Sequence, residues 1–174
     1  MLLVIDVGNT NMTLGDYEGE QLAATFRMMA ETPRTSDEYG VMITQLLKNR
    51  GIDVKELEGT IVASVVPEVM HSLMGGLVRY TETRPIVVGP GTKTGIRIIT
   101  EDVRAIGADR IVDAVAAYEK YGGPVLVLDF GTAECFAVER DNETNLCCAA
   151  ECGNYIIDTS ICVENDGCCQ IDLK

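Results

Sequence analysis

LLVIDVGNTNMTLGDYEGE, running from Leu2 to Glu20, aligns with VLVLDFGTAECFAVERDNE, running from Val125 to Glu143, without a gap and at an offset of 123 residues. Each stretch has four aliphatic residues, an aspartate, one further residue, a glycine, a small polar loop and then a hairpin-like segment. Four aliphatics alone are a weak match. A shared D-x-G at the same strand end, with a turn at the same distance beyond it, is a much stronger one. The repeat divides the chain into a first α/β unit over residues 1–123 and the start of a second over 124–174. About 50 residues remain for the second copy, so it reads as incomplete.

Between the copies the pattern is that of alternating strands and helices. Leu2–Val7 reads as a buried strand breaking into a loop at Gly8. Met12–Asp16 and Gln21–Met28, joined by Tyr17-Glu18-Gly19-Glu20, read as a hairpin. Thr35-x-x-Glu38 is a capping box, after which Tyr39, Met42, Ile43, Leu46 and Leu47 recur at helical spacing until Gly51. Thr60–Val66 and Ile86–Val88 read as further strands. Pro67 opens a helix after the first, and the loop Gly89-Pro90-Gly91-Thr92-Lys93-Thr94-Gly95 follows the second. Ala108–Tyr121 is helical through Ile111, Val112, Val115 and Tyr118, and Gly122-Gly123 ends it.

The two D-x-G loops share a mechanical purpose. Gly8 and Gly131 let the backbone turn tightly, so that N–H groups can point at phosphate oxygens. Asn9, Thr10, Asn11 and Thr132 add neutral donors, and Asp6 and Asp129 at the strand ends suit a hydrated Mg²⁺ that offsets phosphate charge. Two such loops related by duplication form a pair of jaws, with the two aspartates expected at adjacent strand ends facing one cleft. Neither loop matches G-x-x-x-x-G-K-[ST] or G-x-G-x-x-G, which disfavours P-loop and dinucleotide readings.

Charge sharpens this reading. The net charge is −13, of which the last 34 residues carry −6 through seven acidic side chains and one lysine. A nucleic-acid partner is excluded, because a phosphate backbone rewards a basic surface. Nucleotide phosphates would be held by backbone N–H groups and a metal ion. No apolar run approaches the roughly 20 residues that span a bilayer, and MLLVIDVGNT lacks the basic start of a signal peptide, so a cytoplasmic protein is expected. All seven cysteines (Cys135, Cys147, Cys148, Cys152, Cys162, Cys168 and Cys169) fall in the last 40 residues. Their spacing fits no paired C-x2-C zinc pattern, and free or buried thiols are expected.

DVGNTN (Asp6–Asn11), SVVP (Ser64–Pro67), VVGPGTKTG (Val87–Gly95), IGADRIVDAVAAYEKYGG (Ile106–Gly123) and DFGTA (Asp129–Ala133) together resemble the type III pantothenate kinases. That family belongs to the acetate and sugar kinase, Hsp70 and actin superfamily of duplicated folds. The resemblance implies a duplicated actin-like (ribonuclease H-like) α/β fold with its first half complete and its second partial. It also implies a homodimer that uses ATP to phosphorylate pantothenate, the first step of coenzyme A biosynthesis. ATP would lie between the two phosphate loops, with Mg²⁺. Gly107, Arg110 and Thr100 would lie at the pantothenate site, where Thr100 stands in place of the family's tyrosine. Asp109 would be the catalytic base, and Asp129 a ligand for a monovalent cation, potassium or ammonium. On spacing alone Asp109 reads as a helix cap rather than a base, and the resemblance reverses that reading. His71, the single histidine, reads as structural.

The family pattern breaks after Ala133. Glu134 and Cys135 stand where two threonines are expected, Ala137 where an aspartate is, and Cys147-Cys148 where paired glycines are. A carboxylate at Glu134 repels a polyphosphate unless it points away or meets a metal ion. A non-catalytic nucleotide- or partner-binding relative is therefore the competing expectation.

Overall fold

The computed structural model describes residues 1–30, 34–98, 103–122, 125–130, 134–140, 143–150, 162–165 and 168–171, with backbone pairing only beyond Val127. The chain forms two compact units, Met1–Val88 and Gly89–Lys174. The division between these units lies ahead of the repeat boundary expected near Pro124, which falls inside the second unit.

The first unit is one five-stranded sheet under two helices. Strands β1 (Leu2–Val7), β2 (Asn11–Glu18), β3 (Gln21–Met29), β4 (Gly59–Ser64) and β5 (Ile86–Val87) lie in the order β3-β2-β1-β4-β5. β1 is antiparallel to β2 and parallel to β4. The period of two along each strand decides which side chains enter the core. Leu3, Ile5 and Val7 of β1, Met12 and Leu14 of β2, Phe26 and Met28 of β3 and Val62 of β4 are buried. Helices α1 (Ser36–Asn49) and α2 (Pro67–Thr81) cover that face with Tyr39, Ile43, Leu47, Leu73 and Leu77, all 0% exposed.

Local chemistry sets the element ends. Thr35 forms the expected capping box: its hydroxyl accepts from the Glu38 amide at 3.3 Å, and Glu38 accepts from the Thr35 amide at 2.7 Å. Those bonds hold the Glu38 carboxyl below its ordinary range. The β2–β3 connection is tighter than expected, because the strands continue to Glu18 and from Gln21 and only Gly19-Glu20 turns, with Gly19 at φ 59°. β4 stops two residues before Val66, since the Ser64 hydroxyl accepts from the Val66 amide at 3.0 Å and breaks the ladder ahead of Pro67. At the far end of α2 a buried hydroxyl chain links Thr60, Thr83 and Thr81, each step 2.8 Å. Thr81 donates to the Leu77 carbonyl at 2.7 Å, which sets the direction of donation along the chain.

In the second unit, helix α3 (Ala108–Tyr121) has the expected bounds and ends at Gly122, φ 72°. It packs on β7 (Val125–Phe130) and β8 (Glu134–Arg140). With β9 (Glu143–Ala150) and the two-residue β6 (Arg97–Ile98), these form a sheet in the order β6-β9-β8-β7. A separate hairpin pairs β10 (Cys162–Asn165) with β11 (Cys168–Ile171). The antiparallel run β7-β8-β9 repeats β1-β2-β3, and β7 begins 123 residues after β1, as the sequence repeat requires. The register differs by one. Val7 pairs with Met12 across four intervening residues, whereas Phe130 pairs with Glu134 across three.

Candidate functional site

The loop after β1 is built by the hairpin itself. The Gly8 amide donates to the Asn11 carbonyl at 3.0 Å, and the Ala30 amide donates to the Thr10 carbonyl at 2.9 Å, pinning the loop to the end of β3. A Cβ on Gly8 would sit 3.2 Å from the Asn11 carbonyl oxygen, so close approach rather than a left-handed backbone demands glycine here. The Gly8 amide is thus directed into the turn and not toward a ligand. Asn9 and Thr10 are exposed, and their amides meet no backbone acceptor among the described residues. These two residues, with the half-buried Asn11, are what the loop presents.

Asp6 lies on the sheet face away from α1 and α2, exposed between the buried Ile5 and Val7, and it has an interaction partner. Its cross-strand neighbours are Thr13 on β2 and Ala63 on β4. Among the described residues no group of three His, Cys, Asp or Glu side chains could hold a metal ion. A cation at Asp6 would therefore rest on one carboxylate, water and ligand oxygens. That donor set suits Mg²⁺, which retains water and is bound through one or two carboxylates plus phosphates.

In the second unit, α3 starts two residues earlier than a cap at Asp109 would require. Gly107 is the N-cap residue, Ala108 the first helical residue and Asp109 the second. The Asp109 carboxylate accepts from the Arg110 amide at 2.8 Å and is half-buried in the first turn, where the helix dipole favours a negative charge. It is not the N-cap. Arg110 is half-buried and partnered, and Gly107 supplies the extended residue that turns the chain into the helix. Asp129 is the fifth residue of β7 and pairs with Cys135, while Glu134, the first residue of β8, pairs with Phe130. Thr100, Gly131 and Thr132, together with Cys152, lie outside the described residues. His71 is an exposed residue of α2.

A groove of ≈550 Å³ lined by Thr44, Gln45, Lys48, Gly51, Ile52, Asp53 and Val54 sits where α1 ends. The chain returns from there to the start of β1, with the Glu58 amide donating to the Met1 carbonyl. That is the opposite end of the sheet from the Gly8–Asn11 loop, so the groove is not part of this site. One buried group was missed in the sequence. Asp16 on β2 is 0% exposed, neither carboxylate oxygen has a hydrogen-bond partner among the described residues, and burial raises its pKa above the ordinary 3.8. Its place in the Met12, Leu14, Asp16 alternation was the available signal.

The mixed sheet, the strand-end aspartate and the loop hairpin define a mixed α/β protein of the actin-like class. A reductive activator for a corrinoid, iron-sulfur protein has the same fold, with TM-score 0.53, 12% identity, and 85% of this chain matched to 30% of that one. YeaZ from Pseudomonas aeruginosa aligns with TM-score 0.44 and 14% identity over 86% of this chain and 66% of that one. The family profile of type III pantothenate kinase matches residues 2–146. A type III pantothenate kinase of Agathobacter rectalis is 53% identical over 144 residues, 83% of this chain. The chain belongs to the type III pantothenate kinase family. It spans about half, 55%, of the length of that relative.

Proposed function

We propose that this chain carries the phosphate-loop and acceptor-site portion of an ATP-dependent pantothenate kinase, the enzyme that makes 4′-phosphopantothenate for coenzyme A. The carrying observation is the loop after β1: a hairpin held by the Gly8–Asn11 and Ala30–Thr10 bonds that leaves Asn9 and Thr10 presented to solvent beside Asp6. Its setting in a chain 53% identical to a named pantothenate kinase supplies the substrate class.

Phosphoryl transfer asks the protein mainly for positioning and charge stabilisation. Asn9, Thr10, Asn11 and, from the second copy, Gly131 and Thr132 hold the ATP phosphates. Asp109 accepts the proton of the pantothenate hydroxyl and aims its oxygen, with Gly107, Arg110 and Thr100 shaping the acceptor site. Mg²⁺ held at Asp6 would offset polyphosphate charge, and Asp129 would hold potassium or ammonium. The protein works in the cytoplasm as a homodimer.

Glu134 favours a second reading, nucleotide binding without transfer, because it puts a carboxylate where the family has a threonine beside the second loop. A coupled ADP-release assay with and without pantothenate separates the two. Release that depends on pantothenate and ATP together supports the kinase. ATP binding with no pantothenate-dependent release supports the second reading. Absence of ATP binding removes both.

A further inference from the structure

Arg27 sits in the middle of β3 between the buried Phe26 and Met28, yet is itself exposed. The sheet register fixes what lies beside it. Arg27 pairs with Thr13 on β2, and Thr13 pairs with Asp6 on β1, so the three form one cross-strand row on the face away from α1 and α2. At about 4.8 Å per strand, the Arg27 backbone stands roughly 10 Å from that of Asp6, with only the small Thr13 between them. Arg27 is two residues from Met29, which pairs with Asn11 at the edge of the loop.

The guanidinium has no hydrogen-bond, ion-pair or ring partner among the described residues. That distinguishes it from Arg34, the other cation at this end of the sheet. Arg34 donates to the Met29 carbonyl at 2.6 Å and lies 5.8 Å from the Tyr39 ring centre. In a chain of net charge −13, an arginine in a strand with no partner among the described residues leaves its donors available to a ligand. A planar fork of donors suits phosphate oxygens.

We infer that Arg27 is a polyphosphate-binding residue, reaching along the Arg27–Thr13–Asp6 row to oxygens of the nucleotide held at the Gly8–Asn11 loop. This rests on that loop's being the phosphate site. It adds to the expected site a fixed positive charge from β3, where the repeat and its loops had pointed only to neutral donors and a metal ion.

The test is titration calorimetry of the 174-residue chain with Mg-ATP and, separately, with tripolyphosphate, which lacks the adenosine. Arg27→Gln should weaken both ligands by about 10- to 100-fold. Arg27→Lys should retain part of the affinity, and Arg84→Gln, a control at the far end of the sheet, should leave it unchanged. Circular dichroism checks that each variant is folded. Arg27→Gln binding both ligands as tightly as wild type, while Asn9→Ala/Thr10→Ala binds them weakly, would overturn the inference and leave the loop reading intact. Unchanged binding by the Asn9/Thr10 variant, or no binding by the wild type, would overturn the loop reading and the inference with it.

Discussion

At the scale of single residues, Asp16 and Asp109 show how position decides what a carboxylate does. Asp16 is enclosed among core side chains without a donor, and such an unsatisfied buried group costs about 1–3 kcal/mol. Asp16→Val, which raises β-propensity and fills the same row as Met12 and Leu14, should stabilise the protein by about 2 kcal/mol at neutral pH. The sign with pH follows from its raised pKa. The folded state holds the Asp16 proton at pH values where the unfolded chain has released it, so wild type loses stability as pH rises above 3.8. The variant's advantage should therefore be smallest below that value and full above the folded pKa, as read from urea midpoints across pH. An advantage independent of pH would mean that packing, not charge, is relieved. Asp109 is the contrasting case, half-buried at a helix start with its carboxylate turned to a backbone amide. If it orients the acceptor hydroxyl, Asp109→Asn should lower turnover by about 10²–10⁴-fold with ATP affinity unchanged. Equal losses of binding and turnover would assign it to helix structure instead.

Among elements, the sequence was most legible where one local rule dominates. β1, the Thr35 capping box, Pro67 at the start of α2 and the bounds of α3 all follow from periodicity and end signals. The repeat located β7, and with it the fold class. It could not reveal the one-residue register difference between β1–β2 and β7–β8, because an ungapped alignment hides a shorter loop. Nor could it show that the Gly8 amide is engaged within its own turn. Arg27 escaped notice because its significance lies in a row across three strands, which only the pairing reveals. The packing of α1 on α2 was likewise illegible, since it depends on glycines meeting across helices. A Cβ on Gly76 would lie 2.5 Å from the Ser36 carbonyl oxygen and 3.0 Å from the Gly40 amide nitrogen, both backbone atoms. Beside this contact, Tyr80 donates to Asp37 at 3.0 Å, and the Arg79 and Tyr80 hydrogen bonds hold the Asp37 carboxyl below its usual range. Gly76→Ala must push the helices apart and should cost about 1–3 kcal/mol by overpacking. Gly51→Asn, in open space at φ 78°, should cost far less. A Gly76→Ala thermal shift as small as that of Gly51→Asn would show that the helices yield at this contact and that the crossing does not require glycine at position 76.

For the whole molecule, the question is what α3 does with more apolar surface than one packed face needs. Its buried positions are Ala108, Ile111 and Ala114, one stripe at helical spacing. A second stripe of Val112, Val115 and Tyr118 is only half-buried, and Tyr121 is 71% exposed. Two adjoining stripes on one helix give a surface that a second copy can meet through a two-fold axis, each helix contacting its own equivalent. Strong net charge opposes nonspecific clustering of such a surface while leaving a closed, apolar contact available. The expected state is therefore a discrete homodimer with about twice the 18.8 kDa chain mass in light scattering. Val115→Glu places a charge in the middle of the second stripe, and paired across the axis it would face its own copy. It should shift the mass toward monomer while the circular dichroism spectrum is retained, because the buried stripe is untouched. A monodisperse wild-type monomer would remove the dimer. A dimer insensitive to Val115→Glu would move the interface off α3.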